Sequence, residues 1–466
     1  MMFIKPERRI HFVGIGGIGM SGIAEVLLNL GFSVSGSDLR QSDTTERLKT
    51  LGGDITVGHS ADRIRGADVV VVSSAIAQDN IEVVEARRHA IPVIARAEML
   101  AELMRLKYGV AVAGTHGKTT TTSLLATVLF EANLDPTIVI GGKLNILGSN
   151  ARLGQSDYML VEADESDGSF LKLSPVVAVV TNIDAEHLNY YGSMESLDNA
   201  FLDFINKVPF YGTAVLCLDH PRVQKLLPRI RKRYVTYGLS TQADYRADDI
   251  TYEGLESRFQ VWRKKVALGR LELKMPGAHN VLNALAVVAV CDELKIGFGV
   301  VRDALKAFGG VQRRFTIRGE VAGVTVVDDY GHHPAEIVTT LRGARRSFPQ
   351  KRVVAVLQPH RYTRVQRLWR EFSTAFNQAD RVYVTDIYPA SELPIEGISA
   401  RRLAESIRRC GHKDVRHSGN LEDTATQLCR EAAPDDLIIT LGAGDVWRIG
   451  EKVVQKLKEN KDSNCA

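Results

Sequence analysis

Residues 108–122 read YGVAVAGTHGKTTTT, and this stretch decides the fold. Tyr108–Ala113 is a short apolar run, the pattern of a parallel strand buried on both faces. Gly114-Thr115-His116-Gly117-Lys118-Thr119 breaks it, and a helix is predicted over Thr120–Phe130. A glycine-rich turn leading into a helix N-terminus is a phosphate cradle, because free amides and the positive end of the helix face the anion. Lys118 then reaches β- and γ-phosphate oxygens and the Thr119 hydroxyl suits Mg²⁺, with Gly114, Thr115, His116, Gly117 and Thr120 completing an ATP-binding turn. The usual form, G-x-x-x-x-G-K-[ST], is not met, since Val112 stands where its first glycine would be.

Working outward, strands are predicted before this turn at Ile10–Val13, Ser33–Ser35, Asp68–Val72 and Pro92–Ile94, with a helix over about Pro92–Leu106 closing the block. After it come strands at Tyr158–Val161 and Val176–Thr181 and a helix over Asn280–Leu294. Alternation such as Arg258–Trp262 marks Thr236–Leu273 as a small antiparallel insertion. A third block starts near Gln312–Arg314, with strands at Val324–Val327, Arg352–Leu357, Arg381–Thr385 and Leu437–Thr440. The polar end, Glu459–Ala466, is expected to fray. Strands alternating with helices give an α/β protein built on parallel sheets. Three domains are expected: 1–107, Rossmann-like; 108–312, a central P-loop ATPase domain; and 313–466, again Rossmann-like.

Composition excludes several classes. The 466 residues are ample for a core without disulfides or structural metal. A net charge of +4, evenly spread, argues against nucleic acid or an anionic membrane as partner. The 5 cysteines are scattered with no C-x-x-C pair, which suits a reducing compartment. The most apolar stretch, around Val281–Cys291, falls short of the ~20 residues a bilayer requires. The N-terminus lacks the make-up of a secretory signal, so a cytoplasmic protein is expected.

Gly14-Ile15-Gly16-Gly17-Ile18-Gly19 is a second glycine turn, G-x-G-x-x-G, between a strand and a helix beginning near Met20, with Asp38 after the next strand placed to bond a ribose hydroxyl. Taken alone it points to an NAD-dependent oxidoreductase. A full dinucleotide domain needs a second mononucleotide-binding half, however, and the phosphate loop begins where that half would be. A nucleotide diphosphate sugar fits the half-size block better.

Other strand ends carry chemistry too. Glu162-Ala163-Asp164-Glu165-Ser166-Asp167 follows one strand and Asn182-Ile183-Asp184-Ala185-Glu186-His187 the next. Carboxylates at strand ends beside a phosphate loop suit a divalent cation better than a core. Asn280 and Asn283 share a helix face, and an amide suits a purine edge. Arg313-Arg314-Phe315, Asp328-Asp329-Tyr330-Gly331-His332-His333-Pro334-Ala335-Glu336 and Gln358-Pro359-His360-Arg361-Tyr362-Thr363-Arg364 mark the third block. Arg361 and Arg364 read as a clamp for a carboxylate or phosphate, with a solvated basic face as the plain alternative.

Together, HFVGIGGIGMSGIAEVL, AGTHGKTTTT, EADESDGSF, NIDAEHL, PGAHNVLNALA, RRF, DDYGHHPAE and QPHRYTR resemble the Mur ligase family over nearly the whole chain. GTHGKTT resembles that family's shortened phosphate loop, and GGIGMSGIA its alanine-adding branch. The resemblance implies a UDP-sugar domain, a central ATPase domain and a C-terminal domain that closes over the site. It implies ATP-driven joining of L-alanine to the lactyl carboxylate of UDP-N-acetylmuramate through an acyl phosphate, in a monomer or weak homodimer. It places Thr119, Glu162 and His187 at Mg²⁺, with Lys118, Glu162 and His187 catalytic. Asn283, Arg314 and Asp329 fall at ATP, and Tyr330, His360, Arg361 and Arg364 at the amino acid. Gly14, Gly16, Gly17, Ile18, Gly19, Met20 and Asp38 form the UDP-sugar turn. Sister ligases carry a carbamoylated lysine beyond the histidine matching His187, whereas Leu197–Phe204 has no lysine. An NAD oxidoreductase leaves GTHGKT and EADESD without a role. A GTPase-type switch leaves the first block unexplained, and no Asn-Lys-x-Asp segment is present.

Overall fold

The structure, a computed structural model, describes residues 8–73, 75–140, 151–310, 313–390 and 392–463, without the side chains of residues 18 and 460–463. Gln312, where the sequence places a domain boundary, lies outside the described residues, as does the side chain of Ile18.

Three sheets carry the fold. The first comprises β1 (Arg9–Val13), β2 (Ser33–Asp38), β3 (Asp54–Val57), β4 (Val69–Val72) and β5 (Val93–Ala95) in the order β3-β2-β1-β4-β5, every pair parallel. The order reverses between β1 and β4, and ligands of open α/β sheets bind at such a switch point. Val70 and Val71 of the four-valine strand β4 are fully buried, as expected of parallel strands covered on both faces.

The second sheet is formed by β6 (Tyr108–Ala113), β7 (Thr137–Val139), β8 (Ala151–Arg152), β9 (Tyr158–Glu162), β10 (Val177–Val180), β11 (Thr213–Cys217), β12 (Tyr234–Gly238), β13 (Tyr245–Glu253), β14 (Glu256–Arg263) and β15 (Val266–Leu273). Their order is β15-β14-β13-β12-β11-β10-β6-β9-β7-β8. The stretch expected as a small antiparallel insertion joins this sheet as its edge. β12 pairs parallel to β11, and β13 continues parallel from β12. Alternation signals a half-exposed strand and says nothing about direction.

The third sheet has the order β16-β17-β21-β18-β19-β20, from β16 (Thr316–Val321), β17 (Val324–Asp329), β18 (Arg352–Leu357), β19 (Arg381–Thr385), β20 (Val415–Gly419) and β21 (Asp436–Leu441). Only the edge pair β16–β17 is antiparallel, and it carries a register shift between Ile317 and Gly319.

Other expectations need adjusting. Val93–Ala95 is strand, so the helix placed over Pro92–Leu106 begins at Arg96 and ends at Arg105; an X-Pro step disfavours helix before residue 92, and apolar VIA pairs with β4. The C-terminal helix runs Trp447–Ser463 rather than fraying from Glu459. Strands β3, β7, β8, β11, β16 and β20 go unread in the sequence; all but β11 are short or half polar, and the apolar, fully buried β11 carries no flanking motif that marks it.

The chain divides into two compact units, residues 1–248, 260–271 and 282–309 in one and 249–259, 272–281 and 310–466 in the other. Within the first, one apolar core runs from Ile10 and Phe12 through Met104 and Ala113 to Phe201 and Leu226. The second has its own core on the face of β18 and β21, around Leu341, Leu357, Phe372 and Leu403.

Candidate active site

In the first unit, β11, β10, β6 and β9 are neighbours, so the C-terminal ends of four strands open side by side. β6 ends in the turn 114–117. Gly114 has φ +129°, and Gly117 has φ +82° with Asn283 Oδ1 2.7 Å from where a β-carbon would stand; both positions require glycine. The helix Lys118–Glu131 follows and is buried from Thr120 to Leu129. Its threonines satisfy themselves inside: Thr122 donates to the Lys118 carbonyl at 2.8 Å and Thr121 to Asn283 Oδ1 at 3.2 Å.

Lys118 folds back over the turn. Its Nζ donates to the Gly114 carbonyl at 2.6 Å and to Glu165 Oε1 and Oε2 at 3.0 and 2.9 Å. Burial alone would lower its pKa, but Glu165, Glu162 and Asp164 outweigh this, so the pKa is raised and the ammonium stays charged. The Thr119 hydroxyl lies 3.0 Å from both oxygens of Glu162, at the end of β9. A hydroxyl facing a carboxylate is a hard oxygen set of the kind Mg²⁺ prefers, so the residues present fit that ion. His187, in the left-handed region at φ +56°, puts Nε2 3.7 Å from Glu165 Oε1 and 3.4 Å from Glu186 Oε2. The structure thus brings Lys118, Thr119, Glu162 and His187 together.

Sequence reasoning passed over Glu165, only 1% exposed, reading it as one of four acids in a run. It gave Asp184 no role of its own within Asn182–His187, and it passed over His220. Tyr191 Oη bonds the Glu165 carbonyl at 2.6 Å, fixing that turn from the next helix.

At the first glycine turn, Gly14 and Ile15 donate to the Ser37 carbonyl at 2.8 and 3.0 Å. Asp38 accepts from the Gly16 amide at 2.8 Å and the Arg40 amide at 3.2 Å, so its carboxylate is turned to the loop itself. The helix Ile18–Asn29 starts here, with Met20 buried. A side chain at Gly19 would run into the Arg96 guanidinium, so a cation the motif lacks is delivered from another helix.

In the second unit, Asp329 ends β17 and is buried. It accepts from the Phe315 and Gly331 amides, each at 2.8 Å, and burial pushes its carboxyl pKa up against these bonds and Arg314. Arg313 is an internal strut, donating to the Gly442 and Gly444 carbonyls at 2.6 and 3.0 Å and to Asp328 at 3.1 Å. Arg314 lies 5.4 Å from the Tyr330 ring and 3.7 Å from Glu336. After β18, the His360 ring stacks on Tyr388 with centroids 5.3 Å apart, and His332 lies 5.9 Å away. Arg364 Nη1 is 3.3 Å from His360 Nδ1. Burial, His332 and then Arg364 and Arg361 lower the His360 pKa to about 4, so its imidazole is neutral near pH 7. Arg361 is exposed, caps the helix Tyr362–Arg367 at φ +68°, and gives its amide to Tyr388. Tyr330, His360 and Arg364 therefore gather at one end of this sheet, with Tyr388 as the member the sequence reading missed.

Comparison with known proteins identifies the family. Residues 9–108 match the model of the Mur ligase family catalytic domain, residues 112–291 that of the Mur ligase middle domain, and residues 313–444 that of the Mur ligase glutamate ligase domain. The UDP-N-acetylmuramate–L-alanine ligase of Geobacter sulfurreducens is 58% identical over 463 residues, 99% of this chain and 100% of its own. The protein of that name from an Anaeromyxobacter species is 60% identical over 457 residues, 98% of this chain and 99% of its own. The crystal structure of UDP-N-acetylmuramate–alanine ligase MurC from Thermotoga maritima superposes with a TM-score of 0.80 at 31% identity, covering 97% of this chain and 99% of that one. With the shortened phosphate loop, its acidic neighbours and all three sheets accounted for in chain order, this chain belongs to the Mur ligase family.

Proposed function

We infer that the chain is an ATP-dependent amide-forming ligase that joins L-alanine to the lactyl carboxylate of UDP-N-acetylmuramate, in peptidoglycan precursor synthesis. The observation that carries this reading is the Lys118–Thr119 turn with Glu162 and Glu165 at the adjoining strand end, in a chain 58–60% identical over its length to alanine-adding ligases. The NAD oxidoreductase reading has no support.

A carboxylate is a poor electrophile and must be activated. The lactyl carboxylate attacks the γ-phosphorus, ADP leaves, and an acyl phosphate forms. The alanine amine then attacks the acyl carbon, the tetrahedral adduct expels phosphate, and the amine's proton is lost to base. Lys118 offsets the negative charge gathered in the first step, mainly by electrostatics and position. We propose that Thr119, Glu162 and His187 hold Mg²⁺, which supplies further charge neutralisation at the phosphates. Further ATP contacts fall to Asn283, Arg314 and Asp329. The UDP-sugar falls to Gly14, Gly16, Gly17, Ile18, Gly19 and Met20, with Asp38 bracing that turn. The alanine carboxylate falls to Arg361 and Arg364, with Tyr330 and His360 beside it.

This assignment divides the chain at 1–107, 108–312 and 313–466. Among the described residues no helix is long and apolar enough to cross a membrane, and UDP-sugar and ATP are cytoplasmic substrates, so we place the enzyme there. The test is phosphate release with ATP, UDP-N-acetylmuramate and L-alanine each left out in turn. Release requiring all three is expected; release that ignores the amino acid or the sugar overturns the reading.

A further inference from the structure

Three loops of the first unit meet where Asp184 and His220, to which the proposed chemistry gives no role, adjoin His116 of the phosphate turn. His116 lies in the phosphate turn after β6, Asp184 in the loop after β10, and His220 in the turn after β11, and these three strands are neighbours in the order β11-β10-β6. His116 Nε2 is 3.2 Å from Asp184 Oδ2, and His220 Nε2 is 3.3 Å from Asp184 Oδ1. One carboxylate therefore faces two imidazoles, one per oxygen.

The main chain is tied across the same gap. The Asp184 amide donates to Thr115 Oγ1 at 2.9 Å. The His116 amide donates to Asn182 Oδ1 at 2.7 Å, and its carbonyl accepts from Asn182 Nδ2 at 2.9 Å and Thr181 Oγ1 at 2.6 Å. His116 is thus hydrogen-bonded at its amide and its carbonyl and has its ring against Asp184, one residue before the glycine that opens the helix of Lys118.

The protonation pattern follows from the geometry. His220 Nδ1 is buried with no hydrogen-bond partner among the described residues, so a proton there would be an unmatched donor. His220 therefore gives its Nε2 hydrogen to Asp184 Oδ1. The His116 ring and then the His220 ring hold the Asp184 carboxyl far below the usual carboxylate range, against the effect of burial. Asp184 accepts the His220 N–H at Oδ1, a charge-assisted bond of the stronger kind, and has the His116 ring against Oδ2 as a close polar contact.

We propose that Asp184 and His220 are positioning residues for ATP: they clamp the His116 ring and so preset the phosphate turn in its binding shape. The inference rests on the reading of Gly114–Thr119 as the ATP turn. Neither side chain needs to touch the nucleotide. A turn already in its bound shape spares ATP the ordering cost, so the clamp acts on ATP affinity first. Losing it leaves the UDP-sugar and alanine sites as they were.

Steady-state kinetics on the full-length enzyme, varying one substrate at a time, test this, with the melting temperature checked for each variant. Wild-type turnover that depends on all three substrates tests the ligase reading independently of the clamp. His220→Ala and Asp184→Ala are expected to raise KM for ATP about tenfold, the worth of one charge-assisted hydrogen bond, with KM for UDP-N-acetylmuramate and for alanine within about twofold. His220→Gln can return a donor near the lost Nε2 position and is expected to restore most of the ATP affinity. His220→Asn, whose amide falls short, is not. Rescue by Gln but not Asn is the signature a merely structural histidine would lack. The proposal fails if His220→Ala leaves KM for ATP unchanged, if all three KM values rise together, or if Gln rescues no better than Asn.

Discussion

Two glycine turns in this chain, residues 14–19 and 114–119, stand at the same kind of place, between an inner parallel strand and a helix, and spend their amides differently. In the first, four amides are occupied by the protein: Gly14 and Ile15 on the Ser37 carbonyl, Gly16 on Asp38, Gly17 on the Gly14 carbonyl. In the second, Thr115 and His116 donate to Asn182. Lys118, Thr119 and Thr120 then come before the first helical bond, Thr121 to Gly117, so their amides have no acceptor within the helix. The second turn carries its own cation and hydroxyl. The first carries neither, and its cation, Arg96, arrives from a helix far along the chain. A glycine pattern specifies a backbone path; the charge placed on that path decides what it holds.

The largest effect should come from the charge built into the second turn. Lys118→Ala leaves the transferring phosphoryl charge uncovered, which costs on the order of 3 kcal/mol or more, a loss of at least ~100-fold in kcat/KM. Binding of UDP-N-acetylmuramate, followed by calorimetry, should survive, since the first turn is untouched. Near-normal turnover would erase the functional contrast between the loops.

Next is the cation. Glu162→Ala, Thr119→Ala and His187→Ala should each raise the Mg²⁺ needed for half-maximal turnover, by roughly 10–100-fold for Glu162. Thr119→Ser keeps the hydroxyl and should recover most of the loss. Wild-type metal titrations in the Glu162 and His187 variants would take the metal away from these positions.

Both turns were legible because their signal is local: small apolar strand, glycines, helix start. What the sequence hid is what comes from afar. Glu165 sits 47 residues from Lys118 and reads as one of four acids suited to a divalent cation; only the fold shows it 1% exposed and paired with the lysine. Arg96 hides in a helix start that reads as surface. Asp184, read only as part of an acidic strand end, and His220, a lone histidine, hide because nothing in their spacing says that the two meet. Asp38 illustrates the opposite failure. Its position in the motif is clear from the sequence, but a carboxylate after the second strand can face either a ribose or the loop's own amides, and only coordinates show it on Gly16. Strand direction was hidden in the same way at β12, whose neighbours decide whether it runs parallel.

A third anion holder, without any glycine turn, extends the contrast. Arg361→Ala or Arg364→Ala should raise KM for alanine about tenfold while KM for ATP and UDP-sugar move little, because the methyl group offers only ~1–3 kcal/mol and the carboxylate must supply the rest. Arg364→Lys should recover only part, lacking the planar fork. A loss confined to ATP would reassign these arginines to phosphate.

The smallest effect should fall on Asp38, and it sharpens the comparison most. If Asp38 served a ribose, replacing it would cost nucleotide binding directly. The geometry has it bracing the turn instead, with the Gly16 amide at 2.8 Å and the more exposed Arg40 amide at 3.2 Å. Asp38→Asn keeps one carbonyl oxygen, so it can retain the Gly16 bond and set its amide toward Arg40, where water can mediate. The expected cost is the difference between a charged and a neutral acceptor, about 1 kcal/mol of stability, seen as a small drop in melting temperature, with KM for UDP-N-acetylmuramate changed less than about threefold. Asp38→Ala removes both bonds and should lower the melting temperature further. A large rise in KM for Asp38→Asn at unchanged melting temperature would put the carboxylate on the ligand, and the first turn would then hold its nucleotide by an acid as the second does by a cation.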